Sequence, residues 1–478
     1  MSIKNLSADF AFYGLLDLLQ RSIGLIMVPL YTRVLTQQQF GDLDILLSMV
    51  SVLTVMVDLQ FVSGFSRLYL EYLGRGQGRR FAGTVLVMRL IGGLAIGAAV
   101  VGAGLLGYVE WGFVPSFAAH QSAWLLVVML VSLTLVYDVL LLQVRMLRWK
   151  VPFAVGATAS VVLSGIASVV CVVGFHQGMT GVVLGLVLGK AIGILVLGWS
   201  LRHDVAICVD RTVLRPLFAY ALPLIPGWWM SFASAYVGRF FVYGTLGPED
   251  NAVLAVTMKL TSVIGLFAVS FRSAWLPLAM SYIGDAAGTA FYVRSMRLFM
   301  AGSLCSTVCL TAVLHPVLAL FAPGPYAIVE LYFPLFAVGT LIAECESNLQ
   351  LGNQIAKRTH WISLGGLVYL VMNVVILMAL TASLGVVAAG VGLALAALAR
   401  TAVTYVSAQH NWHIPYDTRA MVLFGGTCAA FVALGATMMV PDVPANAVRA
   451  AILVLGLSMP WLILDRSERQ SVSAMARR

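Results

Sequence analysis

Seven basic residues stand inside long apolar stretches of the chain: Arg21, Arg89, Lys190, Arg239, Lys259, Arg272 and Arg400. The main acids in such stretches are Asp17, Asp58, Asp138 and Glu344. A charge at the centre of an apolar helix in a bilayer costs about 2.5–3.5 kcal/mol on insertion scales, so each should face protein or a water-filled cavity. The sum is cationic, and an electropositive interior attracts an anion. Guanidinium groups suit a diphosphate, because they stay charged and bind phosphate oxygens in a fork. Carboxylates suit another task, holding a proton or a sodium ion. Arg21, Arg239, Lys259 and Arg272 are therefore candidates for an anion site, and Asp58 and Glu344 for ion coupling.

Each residue also has a plainer reading. Arg272 and Arg400 lie close to span ends and Arg89 about two turns in, where a long side chain can carry its charge to the interface. Lys190 stands in a helix bearing Gly181, Gly185, Gly189 and Gly193, whose tight packing suits a structural lysine. Asp17 and Arg21 are four apart in the favourable order and can pair on one helix face. Asp58 and Glu344 can equally serve a neighbouring arginine.

Other motifs carry less. Gly74-Arg-Gly-Gln-Gly-Arg-Arg has the glycines of a phosphate loop, but no strand precedes it. His410-Asn-Trp-His413 lacks a third metal ligand. The six cysteines are scattered and read as small apolar residues, so neither disulfide nor metal is expected. With no catalytic triad, P-loop or metal-hydrolase pattern, neither an enzyme nor a cofactor is expected.

The elements that position these charges are membrane helices. The chain is 60% hydrophobic and 10% charged, with mean hydropathy +0.95. Backbone polar groups in lipid are satisfied only in helices or closed barrels, and runs such as Leu86–Leu106 lack the alternation of a barrel strand. The expectation is an all-α polytopic membrane protein of about 14 transmembrane helices, at 9–31, 40–65, 82–107, 120–142, 152–174, 180–200, 216–243, 251–275, 295–320, 327–349, 360–381, 384–407, 420–440 and 447–464. Asp9, Asp17 and Arg21 interrupt the first apolar run, so it reads as a retained helix and not a cleaved signal. Basic residues concentrate in alternate loops and in the C-terminal tail, which puts both termini in the cytoplasm. The net charge of +9 sits in these short loops and does not point to nucleic acid. Phe10-Ala-Phe-Tyr-Gly-Leu with Arg21, and Phe218-Ala-Tyr-Ala-Leu with Arg239, echo one another as a parallel internal repeat.

The stretch Arg21-Ser-Ile-Gly-Leu-Ile-Met-Val-Pro-Leu-Tyr-Thr-Arg33-Val-Leu, followed by Phe40-Gly41-Asp42, resembles the bacterial polysaccharide exporters. These are the Wzx-type flippases of the multidrug/oligosaccharidyl-lipid/polysaccharide superfamily. Leu222-Pro223-Leu-Ile-Pro226 with Arg239-Phe240, Phe271-Arg-Ser-Ala-Trp275-Leu-Pro277, and the stretch from Asn348 to Thr359 add to the likeness. Gly238 stands where that family often has an acid, and Ala252-Val-Leu254 where it often has Gly-x-Tyr, so a span-seven ion pair is not carried over. The resemblance implies two six-helix lobes in a V plus two C-terminal helices, here 1–200, 201–408 and 409–478. It implies a substrate, an undecaprenyl-diphosphate-linked oligosaccharide. This would be flipped by alternating access from the cytoplasmic to the periplasmic leaflet of the bacterial inner membrane, for O-antigen, capsule or exopolysaccharide. A polysaccharide polymerase and a chain-length regulator are the partners such a system implies. A multidrug or metabolite antiporter of the same superfamily and a lipid-linked peptidoglycan precursor flippase are the alternatives.

Overall fold

In an apolar sequence without alternation the helix is the element that satisfies its own backbone, and no strand occurs among the described residues. The computed structural model describes residues 26–105, 121–285, 287–437, 445–465 and 467–470, with single helical positions at 12, 16, 20 and 24. Arg21 and Asp17 lie outside the described residues. The chain divides into two compact units, Met1–Tyr236 and Val237–Arg478.

In the first unit, α1 (26–34) leads to α2 (Gln37–Asp58) through Thr36. Thr36 and Gln39 form a reciprocal capping box: Thr36 Oγ1 accepts from the Gln39 N–H and Gln39 Oε1 from the Thr36 N–H. The second span expected at 40–65 is in fact two helices. Leu59 (φ 45°) and Gln60 (φ 61°) both adopt the left-handed conformation, and α3 (Phe61–Gly74) sets off in a new direction. Then come α4 (Gly78–Leu105), α5 (Gln121–Met146), α6 (Lys150–Val169, prolonged by the π-turn Val170–Gly174), α7 (Gly178–Leu201) and α8 (Arg211–Ala221). The seventh span, expected at 216–243, is broken as well: Leu222–Leu224 forms a 3-10 turn between α8 and α9 (Ile225–Leu246). Pro223 and Pro226 follow each other too closely for an unbroken helical ladder.

Two features hold this unit together. Phe61, Phe65, Tyr69 and Tyr72 of α3, Phe81 and Val85 of α4, and Val213, Leu217 and Ala221 of α8 form one buried cluster. Gly64 makes room for Leu217, and Phe61 meets Phe218 edge-on at 5.3 Å. The second feature is the α6–α7 seam. A Cβ at Gly185 would lie 2.4 Å from the Ser168 amide nitrogen, and one at Gly189 would lie 2.4 Å from the Ser160 carbonyl. Small residues at this spacing let helix backbones approach in lipid, where no hydrophobic drive exists.

The linker 202–210 is pinned along α4. Ala206 N–H donates to the Arg79 carbonyl at 3.0 Å, and Asp210 N–H to Thr84 Oγ1 at 3.1 Å. A Cβ at Gly83 would overlap the Ala206 carbonyl, so only glycine permits this approach. Asp210 caps α8: its Oδ1 accepts from the Thr212 hydroxyl at 2.6 Å and the Thr212 N–H at 2.9 Å. Those two bonds hold its carboxyl below the usual range.

The second unit holds α10 (Pro248–Ser281), α11 (Gly288–Phe321), α12 (Val329–Leu349), α13 (Leu351–Ile355), α14 (His360–Leu384), α15 (Val387–Asn411), α16 (Thr418–Thr437) and α17 (Ala445–Ile463). Val242, Leu254, Phe336, Leu377 and Val386 form its apolar centre. At one end Arg297 of α11 binds Asp417 at 3.1 Å, Asp465 at 2.7 Å and Glu468 at 3.0 Å. One guanidinium thus joins α11, the start of α16 and the segment after α17.

Eleven helices among the described residues are long and apolar enough to cross a membrane. The sequence reading of fourteen differs at three places. The first span lies mostly outside the described residues, α9 is not among the eleven, and the last apolar helix is shorter, Ala447–Ile463.

Candidate functional site

The intramembrane charges form two groups, one in each unit. In the first unit, Asp58 is the last residue of α2, at the left-handed break, and Arg89 sits on α4. Arg89 Nη2 donates to Asp58 Oδ1. The Arg89 side chain is 1% exposed, so it is buried against Asp58 and does not carry its charge to the interface, as a place about two turns into the span allowed. Its Nε and Nη1 have no hydrogen-bond partner among the described residues. Asp138 on α5 acts electrostatically on both Asp58 and Lys190. Lys190 Nζ lies 3.9 Å from the centre of the Tyr137 ring, a cation–π contact between α7 and α5. Among the described residues of this unit, acids and bases alternate across four helices: Asp58, Arg89, Asp138, Lys190.

The second unit holds the other group. Arg272 of α10 donates from Nη1 to Glu344 Oε2 at 2.5 Å and to Ser347 Oγ at 2.5 Å, both on α12. All but Ser347 are sequence candidates. Glu344 Oε1 lies 3.5 Å from where a Cβ would stand on Gly265, so the glycine leaves the carboxylate room beside α10. Arg272 and Glu344 keep 29% and 21% of their side chains accessible.

Glu346 is the residue that sequence reasoning missed. It is 1% exposed, and its Oε2 takes a 3.1 Å ion pair from Arg400 of α15. Positions 344 and 346 are about 200° apart on a helix. One therefore faces α10 and the other α15. A signal was present: Glu-Cys-Glu at 344–346 offers two carboxylates on opposite faces, with an arginine in each of two other spans.

Arg239 on α9 and Lys259 on α10 are half-buried, and both engage neighbours. Lys259 and Arg272 are thirteen residues apart on one helix, roughly 20 Å along its axis. They also stand about 140° apart around that helix, so they cannot grip one phosphate together. Pairing also lowers the positive charge that the sequence alone implied. Arg89, Arg272 and Arg400 each carry a carboxylate partner.

A family profile described as polysaccharide biosynthesis protein matches residues 6–321. No curated protein matches the chain. Among solved structures, the lipid II flippase MurJ in its inward closed conformation is similar at 12% identity. The match covers 95% of this chain and 97% of that one, with a TM-score of 0.66. An inward-facing multidrug resistance MATE family transporter of the MOP superfamily matches at 13% identity over 82% and 94% of the two chains, with a TM-score of 0.58. A MOP superfamily transporter from Pyrococcus furiosus Vc1, described by the reverse polarity of its binding pocket, matches at 13% identity over 84% and 95%, with a TM-score of 0.53. These likenesses establish the fold.

Proposed function

We propose, since the chain belongs to the polysaccharide biosynthesis protein family, that this multi-pass membrane protein is a flippase for a lipid-linked oligosaccharide. The substrate in this reading is an undecaprenyl-diphosphate-linked repeat unit. It moves from the cytoplasmic to the periplasmic leaflet of the inner membrane, with both termini of the protein in the cytoplasm. The observation that carries the reading is Arg272, a half-buried guanidinium in a spanning helix, held by Glu344 and Ser347 and still accessible. A diphosphate is a better partner for a guanidinium than a carboxylate is, because it brings more charge and more acceptor oxygens.

Substrate entry then becomes an exchange of partners. The diphosphate takes Arg272, and the freed Glu344 accepts a proton or a cation, since an unpaired carboxylate in this setting is costly. Substrate and coupling ion therefore meet at one pair. Lys259 and Arg239 line the passage and Arg21 is a further candidate; Asp58, held by Arg89, is the second coupling candidate. The lipid tail stays in the bilayer throughout. A polysaccharide polymerase and a chain-length regulator would act on the product.

A second reading is a flippase for a lipid-linked peptidoglycan precursor, favoured by the likeness to the MurJ structure. A viable deletion strain lacking surface polysaccharide supports the first reading; an essential gene supports the second. The direct test is translocation of a fluorescent undecaprenyl-diphosphate oligosaccharide in proteoliposomes, with and without a pH gradient or potential. Movement above empty liposomes is expected. None, with folded protein and authentic substrate, would overturn the proposal in favour of ion-coupled drug or metabolite antiport.

A further inference from the structure

The exchange at Arg272 leaves one charged surface unused, the end of the first unit where α3, the start of α4, the linker and α8 meet. Segments 61–84 and 202–221 carry seven arginines against three acids. Arg67, Arg79, Arg211 and Arg215 are exposed and form no ion pair among the described residues. Two of the three acids are already engaged, Glu71 by Arg75 and Asp210 as the cap of α8, and none of the three pairs with these four arginines among the described residues. Beside these charges the pinned linker turns two apolar side chains outward, Ile207 at 85% and Val209 at 51% exposed. Leu70 of α3 and Leu222 after α8 are also exposed.

The supporting helices are too short to cross a bilayer. α8 has 11 residues and α3 has 14, against about 20 for a span. Each buries one face on the other, through Leu217, Phe61 and their neighbours, and leaves a mixed basic and apolar face outward. That composition suits the bilayer surface, with apolar side chains at the acyl boundary and guanidinium groups at the phosphates. We propose that this face of the first unit is a docking site for the headgroups of anionic phospholipids. The charge selects the lipid, and the hydrogen-bonded linker holds Ile207 and Val209 at the depth of the upper acyl chain. The site is independent of the transport exchange.

The test uses the purified full chain in detergent and counts retained phosphatidylglycerol against phosphatidylcholine by native mass spectrometry. The wild type is expected to prefer phosphatidylglycerol by roughly tenfold or more, since each basic side chain near a lipid surface adds substantially to anionic binding. Raising salt from about 0.05 to about 0.5 M should erase most of that preference by screening, a result that needs no variant. The quadruple variant Arg67→Gln/Arg79→Gln/Arg211→Gln/Arg215→Gln should lose it at unchanged Tm, while Ile207→Ser should weaken retention of both lipids. Equal retention of the two lipids by the wild type overturns the proposal. So does a folded quadruple variant that keeps the preference. So does loss of added undecaprenyl diphosphate with phosphatidylglycerol retention intact, which would mark a surface for capturing substrate.

Discussion

Arg272 and Glu344 were both legible in the sequence as charges inside apolar runs, but their pairing was not. They are 72 positions apart, and no local pattern reports a contact at that range. The exchange at this pair separates the roles of its members. Arg272→Gln should abolish flipping at normal expression, because the diphosphate loses its fork. Glu344→Gln should retain substrate exchange between leaflets and lose gradient-driven accumulation. Full accumulation by Glu344→Gln would remove the carboxylate from coupling. Arg89 and Asp58 differ in kind, since Arg89 is buried and its charge is matched by Asp58. Asp58→Ala leaves a guanidinium uncompensated and should cost about 3–5 kcal/mol of stability. The double variant Asp58→Leu/Arg89→Met should recover most of the lost Tm. A Tm for Asp58→Ala equal to wild type would show that the pair contributes little. Glu346 went unseen because it sits next to span-end residues, where a carboxylate ordinarily faces water.

At the scale of elements, hydropathy located the spanning helices well and missed their interruptions. Length and apolarity are sums over about 20 residues, whereas a break needs only two. Leu59 and Gln60 are not residues that announce a left-handed turn. The amphipathic pattern of α8, with Val213, Leu217 and Ala221 four apart, was present in the sequence, but the apolar run that follows it absorbed it into the seventh span. The α6–α7 seam was foreshadowed by the glycines at 181, 185, 189 and 193, and Lys190 indeed lies in a tight helix pair. The Arg297 junction has a titration of its own. Burial pushes the Asp417 carboxyl up, but bonds from the Ala420 N–H and from Arg297, together with the Arg297 charge, bring it below the usual range. Its stabilising contribution is complete above the unfolded-state value and fades as pH falls through the lower folded-state value. Acidification should therefore loosen the start of α16 against α11, seen as faster amide exchange there. Asp417→Asn should exchange faster at neutral pH and lose part of that acid dependence. An unaltered pH profile would exclude Asp417 as its source.

At the scale of the whole molecule, composition settled the class and the helical architecture. The substrate is less legible, because a charge count cannot show which cations already have partners. Orientation is testable through Cys208, which lies in the pinned linker and is partly exposed. A variant retaining Cys208 alone should resist a membrane-impermeant maleimide in intact spheroplasts and react once the membrane is opened. Labelling in intact spheroplasts would reverse the topology. The break between α2 and α3 has a mechanical consequence for the first unit. A continuous helix transmits torque along its length, and the left-handed pair Leu59–Gln60 does not. α3 is seated on α4 and α8, so a tilt of α2 about this joint would load the Asp58–Arg89 pair beside it before it reached α3.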